Sequence, residues 1–247
     1  MKKCVFANQL KVEQLIQLTK SNENNILELT KLNTVEEFCS IQGESSYSGR
    51  LCYFIRLAKC NLRCKYCDTL YAQKSSDGKN RSLQAIINDI KKSQFELIEI
   101  TGGEPLLQQK AVNLLCKELL KNNISVMIET NGSQLINSIP DEVIKIIDIK
   151  TPSSGEDGSF NIENVKFLQP HDQIKFVIGN REDYDFALKH IKNFALENKV
   201  KEILFSPIWD KIEHKKLVKW LVEDNIKNVR FQLQIHKIIW HPDEKGV

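Results

Sequence analysis

Short apolar runs that alternate with amphipathic helical segments constrain the fold of this chain more than any other feature. Each run is rich in Ile, Val, Leu or Phe and has the length of a buried strand. We expect strands at 53–57, 97–101, 125–129, 144–149, 174–178, 202–206 and 229–234. Strands that alternate with helices form right-handed βαβ units, so this pattern predicts a mostly parallel sheet.

Four helical segments lie between these runs. Ser82 can cap a helix whose apolar face is Leu83, Ile86, Ile87 and Ile90, and a second face carries Val112, Leu115 and Leu119. Residues 181–198 and 214–224 supply two more. Six or seven strands fit an open barrel better than a closed eight-stranded one. The predicted fold is therefore α/β, a partial (β/α)6-type parallel barrel with its active site at the strand C-terminal ends.

Composition predicts one main domain in the cytoplasm. The 247 residues can bury one substantial core, and the Asn- and Lys-rich residues 1–33 are expected to form an N-terminal extension of unknown role before a barrel domain at 34–247. The 35 basic and 32 acidic residues are scattered, which argues against a nucleic-acid partner. No apolar stretch approaches the ~20 residues of a membrane span, and no signal-peptide core follows Met1, so we expect no membrane partner.

Three of the seven cysteines lie close together in the spacing C-x3-C-x2-C. Clustered thiols in a reducing compartment are typical of metal ligands. Cys60, Cys64 and Cys67 can each bind a different iron of a 4Fe-4S cubane, which leaves the fourth iron open to chelate a ligand. A zinc site with a fourth ligand from elsewhere is the alternative, and paired C-x2-C units would be typical of it. The isolated cysteines are interpreted as small hydrophobes: Cys4, Cys39, Cys52 and Cys116.

A second motif follows the predicted strand at 97–101. It consists of Gly102, Gly103, Glu104 and Pro105. Glycines let the backbone approach a ligand closely at the carboxyl end of a parallel sheet, although a Gly-Gly pair alone is most often a turn. Because this pair follows the cysteine loop by one βα unit, its position favours a ligand-binding role.

The two motifs together resemble the radical S-adenosylmethionine (SAM) superfamily. The resemblance implies that the three cysteines hold a 4Fe-4S cluster and that its reduction cleaves SAM to a 5′-deoxyadenosyl radical. It also implies that SAM lies near the following residues: Tyr66, Cys67, Asp68, Gly103, Asp148, Ile149 and Lys150.

Flanking residues resemble one family within this group, the 7-carboxy-7-deazaguanine synthases. They are Arg56 and the runs 38–44, 67–69 and 232–237, within a similarity that extends from about Val35 to Val247. This family contracts the ring of 6-carboxy-5,6,7,8-tetrahydropterin and releases ammonia, a step toward the queuosine base of tRNA. The resemblance further implies Mg2+ as a cofactor, a homodimer, and a small reductant protein such as a flavodoxin.

The same resemblance assigns residues to the substrate and to magnesium. The pterin would be bound by Ile41, Gln42, Gly43, Arg56, Thr101 and Val247. Arg56 would hold its carboxylate through two parallel hydrogen bonds, and Thr69 would bind Mg2+ through its hydroxyl oxygen. A plain salt bridge at Arg56 and a turn cap at Thr69 are the alternatives. No catalytic acid or base is assigned.

The sequence departs from the family pattern at two places. Asp148 and Ile149 precede Lys150 where the family often has Ser-Pro-Lys, and Ser45 stands where Gly is usual. Two other functions share part of the pattern: a radical activase that makes a glycyl radical on another protein, and a zinc-stabilised binding module. The activase does not need Gln42, Arg56, Thr69 and His236 as a set.

Overall fold

The N-terminal part of the described chain joins the main sheet directly. The computed structural model describes residues 22–247, so residues 1–21 of the expected extension lie outside the described residues. Residues 22–29 form helix α1, and strand β1 (Lys31–Ile41) follows. Leu27 and Leu32 are buried in the main core. The domain boundary expected after residue 33 therefore falls inside β1, because Leu32 already belongs to the core.

The strands of the described residues form one sheet in the order β3-β1-β2-β4-β5-β6-β7-β8-β9. After β1 come β2 (Leu51–Leu57), β3 (Lys79–Ser82), β4 (Leu97–Gly102), β5 (Ser125–Thr130), β6 (Ile144–Asp148), β7 (Gln173–Ile178), β8 (Glu202–Pro207) and β9 (Arg230–Phe231). β1 pairs antiparallel with β2 and β3, whereas all pairs from β2 to β9 are parallel. The predicted α/β class with a mostly parallel sheet is confirmed.

Between several of the parallel strands, and after β9, lie α-helices. They are α2 (Leu83–Ser93), α3 (Gln109–Lys121), α4 (Arg181–Phe194), α5 (His214–Glu223) and, near the C-terminus, α6 (His236–Ile239). Ser82 caps α2 as predicted, since its hydroxyl accepts a hydrogen bond from the Ala85 N–H at 3.3 Å. None of the helices described in residues 22–247 has both the length and the apolar character that crossing a membrane requires.

Two elements are shorter than the sequence predicts. α4 ends at Phe194 because Ala195 adopts a left-handed conformation, with φ of 47°, before a 3-10 turn at Leu196–Asn198. The strand expected at 229–234 is limited to β9 at Arg230–Phe231. β9 pairs with β8 alone, and beyond it the Ile235 N–H donates to the Gly43 carbonyl at 2.9 Å, just after β1.

The two faces of the sheet have different chemistry. The outer face packs apolar side chains against the helices and forms the main core. The inner face holds a smaller apolar cluster that includes Phe54, Leu97 and Met127. Because alternate residues of a strand point to the same face, the next inward residues toward the carboxyl ends are polar. They are Arg56, Glu99, Thr101, Glu129 and Asp148.

The contribution of β1 to the core can be measured by truncating one leucine. Leu32 is 0% exposed, whereas Leu29 on α1 is 72% exposed. We expect Leu32→Ala to lower the free energy of unfolding by about 2–5 kcal/mol, because it leaves a cavity in the core. Leu29→Ala, the matched control, should change it by less than about 0.5 kcal/mol. Equal effects in chemical denaturation would show that the segment before residue 34 is only loosely attached.

Candidate functional site

The three motif cysteines lie on the loop of residues 58–78, which leaves the carboxyl end of β2. The loop is closed by its own backbone, since the Lys59 N–H donates to the Ala72 carbonyl at 2.8 Å and the Cys60 N–H to the Gln73 carbonyl at 3.1 Å. Cys60, Cys64 and Cys67 are free thiols of intermediate burial. Burial raises the pKa of Cys64 to about 11. Iron that binds there must therefore displace a proton.

Two neighbouring strand ends anchor this cysteine loop. After β6, the Ser154 carbonyl accepts the Lys65 N–H at 3.0 Å, and the Glu156 carboxylate accepts the Arg63 N–H at 2.6 Å. After β5, the Asn131 amide lies 3.9 Å from the sulfur of Cys60. The carboxyl ends of β2, β5 and β6 thus meet at the thiols.

The Gly-Gly motif lets the end of β4 lie directly against the cysteine loop. A Cβ atom on Gly102, where φ is +134°, would lie 2.2 Å from the Leu57 carbonyl oxygen, and one on Gly103 would lie 2.2 Å from the Lys59 carbonyl oxygen. The Glu104 N–H donates to that same Lys59 carbonyl at 2.8 Å. Gly103 was expected beside the cofactor. The structure shows that its missing side chain is also required for contact between two backbones.

Glu104 links the end of β4 to the end of β5. Its carboxylate is fully buried and accepts hydrogen bonds from the Thr130 hydroxyl at 2.8 Å and from the N–H groups of Asn131 at 2.8 Å and Leu106 at 2.9 Å. Burial raises its pKa, and these hydrogen bonds oppose the rise. Because both carboxylate oxygens have partners, Glu104 orders the strand ends around the site.

Two buried polar atoms next to the cysteines have no hydrogen-bond partner among residues 22–247. They are the Tyr66 hydroxyl and Oδ1 of Asp148, whose other oxygen accepts from the Lys150 ammonium at 2.7 Å. Burial opposes the charge of Lys150, but Asp148, Tyr66 and Cys64 together raise its pKa. Unpaired buried polar atoms are uncommon in folded proteins. A ligand with amino and carboxylate groups, such as the methionine part of SAM, fits donors and acceptors arranged in this way.

Ile149 departs from its expected position. Its side chain is 0% exposed and lies in the main core on the outer face of the sheet. Its N–H is also occupied, since it donates to the Lys175 carbonyl at 2.9 Å. Alternation along the strand turns Ile149 away from Asp148, so its side chain cannot contact a ligand inside the barrel.

Thr69 and Asp68 connect the cysteine loop to the C-terminal segment. Thr69 precedes a 3-10 turn at Leu70–Ala72, but its side chain does not cap that turn. The Thr69 hydroxyl instead donates to Asp68 at 3.0 Å, and the other oxygen of Asp68 accepts from the Lys237 ammonium at 2.7 Å. The turn-cap alternative is therefore wrong for this side chain, and the lone pairs of the hydroxyl stay available to a cation.

A buried ammonium organises the polar inner face of the barrel. Lys175 Nζ lies 2.5 Å from Glu44, 2.7 Å from Glu129 and 3.9 Å from Asp148. Burial opposes the charge of Lys175, but these carboxylates raise its pKa well above the ordinary value. Burial also opposes ionisation of Glu44, yet Lys175 and His236 lower the pKa of Glu44 to about 2. Lys175 and Glu44 therefore carry charges inside the barrel, whereas burial raises the pKa of Glu129 despite the nearby ammonium.

Gln42 and Gly43 lie between this polar group and the C-terminal segment. The Gln42 amide nitrogen donates to Glu99, and its amide oxygen accepts the Glu44 N–H at 2.6 Å. A Cβ on Gly43 would lie 2.1 Å from the ring of His236, so only glycine lets that ring approach. Ile41 precedes them at the end of β1.

Ser45 occupies a conformation that favours glycine. Its φ is +60°, and its hydroxyl accepts a hydrogen bond from the Tyr47 N–H at 3.1 Å. This explains why Gly is usual at this position in the resembling family, and it shows how the hydroxyl offsets part of the strain.

Arg56 and Thr101 are register partners on β2 and β4. Arg56 Nε donates to Glu36 at 2.6 Å, and the guanidinium lies 5.9 Å from the centre of the Tyr71 ring. Within residues 22–247, nothing accepts a hydrogen bond from its two Nη atoms. Arg56 therefore forms the salt bridge that was the alternative to substrate binding, and its two Nη atoms can still donate hydrogen bonds to a ligand. The C-terminal segment also lies near Arg56, because the ammonium of Lys245, two positions before Val247, lies 4.1 Å from the centre of the Tyr71 ring.

Several charged residues of the barrel interior belong to none of the predicted sites. Glu99, Glu129 and Lys175 each interrupt an apolar strand run. That interruption is the available signal, because a charge between apolar neighbours on a buried strand must find a partner inside the fold. Their partners come from distant parts of the chain and are not visible in the pattern.

Comparisons with known proteins agree with one another. The Radical SAM superfamily model matches residues 54–198. A 7-carboxy-7-deazaguanine synthase from Koribacter versatilis is 43% identical over 87% of this chain and 100% of its own length. One from Clostridium acetobutylicum is 38% identical over 86% of this chain and 98% of its own. This chain belongs to the 7-carboxy-7-deazaguanine synthase family.

Membership in the 7-carboxy-7-deazaguanine synthase family confirms the predicted family and the enzyme class, and the Radical SAM match supports a 4Fe-4S cluster and SAM as cofactors. It favours the synthase over the activase and the zinc module. The crystal structure of QueE from Escherichia coli superimposes with a TM-score of 0.71 over 85% of this chain and 97% of that chain, at 21% identity. This likeness supports the partial-barrel fold.

The contact between Gly103 and the cysteine loop can be tested without turnover. Gly103→Ala should displace Lys59 and thereby Cys60, because the new Cβ has no room against the Lys59 carbonyl. We expect the reconstituted iron content to fall to half of the wild-type value or less, as a misplaced ligand weakens the cluster. Gly158→Ala, whose Cβ would have nothing within 4 Å, should load normally. Full iron loading of Gly103→Ala would contradict this packing role.

Proposed function

We propose that this chain converts 6-carboxy-5,6,7,8-tetrahydropterin to 7-carboxy-7-deazaguanine with loss of ammonia. One observation carries the proposal within this family. Three free thiols and a buried layer of donors and acceptors centred on Lys175 share the carboxyl end of one barrel. The first group suits a cluster, and the second suits a flat, polar heterocycle with many N–H and carbonyl groups.

We assign Cys60, Cys64 and Cys67 to the cluster. When bound and reduced, the cluster supplies the electron that cleaves SAM to the radical that starts the reaction. The chain orients SAM through the residues assigned to it, which are Tyr66, Asp68, Gly103, Asp148 and Lys150, together with the backbone of Cys67. The unpaired atoms of Tyr66 and Asp148 support this assignment. Ile149 contributes only its carbonyl group.

We assign the pterin to the space between Arg56 and the buried ion pairs of Lys175 with Glu44 and Glu129. The free Nη atoms of Arg56 suit the substrate carboxylate, since a guanidinium binds it through two parallel hydrogen bonds. Glu129, held by Lys175 at 2.7 Å, is an acceptor for ring N–H groups. Ile41, Gln42, Gly43 and Thr101 line the remaining sides. We place Val247 at the edge of the site, because Lys245 of the same segment contacts the Tyr71 ring.

The finer assignments are also part of this proposal. Thr69 binds Mg2+, which orients the substrate carboxylate, and its uncapped hydroxyl supports this role. Exposed Arg63 and Lys65 beside the thiols suit an acidic reductant such as a flavodoxin. Exposed Leu70, Ile238 and Ile239 suit a homodimer contact. The free thiols fit the reducing cytoplasm, where the product would serve queuosine formation in tRNA.

Anaerobic turnover tests this function directly. The reconstituted protein, supplied with SAM, dithionite, Mg2+ and carboxytetrahydropterin, should form 7-carboxy-7-deazaguanine, detected by mass. Cys64→Ala should form none, whereas Cys52→Ala, which alters a buried thiol on β2, should form product. Cleavage of SAM by the wild-type protein without any pterin product would contradict the proposal and favour the activase.

Thr69→Val tests the magnesium assignment. Valine keeps the side-chain shape but removes the oxygen ligand, so we expect turnover to fall at least ~10-fold and to stop responding to added Mg2+. Cluster content should not change. Thr69→Ser, the matched control, keeps the hydroxyl and should keep the magnesium response. If Thr69→Val shows the normal response, magnesium binds elsewhere.

A further inference from the structure

Both ends of the Gln42 carboxamide are held by the protein. Its oxygen accepts the Glu44 N–H at 2.6 Å, and its nitrogen donates to the carboxyl group of Glu99 on β4. Gln42 is 3% exposed and Glu99 2% exposed, so water does not compete for these bonds. A primary amide has two N–H groups and two lone pairs. Once both contacts are made, one N–H and one oxygen lone pair of Gln42 have no partner among residues 22–247, and the orientation of the amide determines where each of them lies.

Glu99 stands apart from the ion pairs of its surroundings. Lys175 lies within 4 Å of Glu44, Glu129 and Asp148 but not of Glu99. Among the described residues, the carboxyl group of Glu99 has Gln42 as its single hydrogen-bond partner. A buried carboxyl group that has no cation nearby lowers the stability of the fold unless it keeps its proton. Burial first, and then Glu129 and Glu44, raise the pKa of Glu99 well above its ordinary value.

We propose that Glu99 is a positioning residue, which fixes the Gln42 carboxamide so that its free donor and acceptor face the pterin in one order only. This inference rests on the proposed function. A rotated carboxamide would exchange the donor and the acceptor, and each would then face a like group on the ring. Sites that read hydrogen-bond patterns lose affinity strongly when a buried polar group is left without its partner. Glu99 thus contributes to recognition of the pterin without touching it.

Three variants of the reconstituted enzyme test this role. Glu99→Met has a similar shape and no acceptor, and Glu99→Leu removes the same acceptor with a different shape. Glu99→Gln keeps an acceptor oxygen for the Gln42 amide. Asp172→Asn is the control, because Asp172 is likewise buried, at 0% exposed against 2% for Glu99, and accepts the Lys145 and Gln169 N–H groups at 2.8 Å near the start of β7, away from this site.

We expect Glu99→Met to raise KM for carboxytetrahydropterin about 10-fold or more while kcat changes less than about 3-fold, since the effect is on substrate binding. Fluorescence titration with 6-carboxypterin should show the same loss of affinity. Glu99→Gln should stay within about 3-fold of the wild type, and Asp172→Asn should leave KM unchanged. Adding Glu99→Met to Gln42→Ala should cause no further increase in KM, because Glu99 acts through Gln42.

Two results would overturn the inference. One is normal pterin affinity in Glu99→Met or, if that variant does not load a cluster, in Glu99→Leu. The other is a loss in the double variant that equals the sum of the single losses, because Glu99 would then act independently of Gln42. Failure of the proposed function is distinguishable, since the wild-type protein would then neither bind 6-carboxypterin nor form product.

Discussion

Lys175 places one positive charge among three carboxylates inside the barrel, at 2.5 Å from Glu44 and 2.7 Å from Glu129. Burying such carboxylates without a cation would cost several kcal/mol each. With the ammonium present, Glu44 stays ionised and holds the loop after β1, which in turn supports His236 and the C-terminal segment. The buried carboxylates, the loop after β1 and the C-terminal segment that packs on it therefore depend on the Lys175 side chain of β7.

The cysteine loop depends on a different kind of contact. Gly102 and Gly103 bring the backbone of β4 against that of the loop, and buried Glu104 fastens the same strand end to β5. These backbone contacts leave no room for a side chain at either glycine. The two halves of the site are joined where Lys237 of α6 contacts Asp68 of the loop at 2.7 Å. A ligand between the cysteine loop and the C-terminal segment would therefore contact two elements that are bonded to each other.

Sequence patterns predicted the features that depend on residues close together in the chain. Apolar runs and caps located most strands and helices, and the spacing of Cys60, Cys64 and Cys67 indicated the cluster loop. Features that depend on distant contacts were not accessible. β1 begins before the expected boundary because Leu32 packs in the core, and Ile149 turns outward because Asp148 takes the inner face. The pairing of Lys175 with Glu44 joins residues far apart in sequence, and no local pattern specifies it.

Anaerobic crystals of the reconstituted protein with SAM and 6-carboxypterin, measured at the iron and zinc absorption edges, would locate the metal and the pterin together. We expect an iron signal bonded to the sulfurs of Cys60, Cys64 and Cys67, with pterin density within hydrogen-bond distance of Gln42 and the Nη atoms of Arg56. A zinc signal at these cysteines would show that the cluster assignment is wrong, and pterin density away from Gln42 and Arg56 would show that the substrate assignment is wrong.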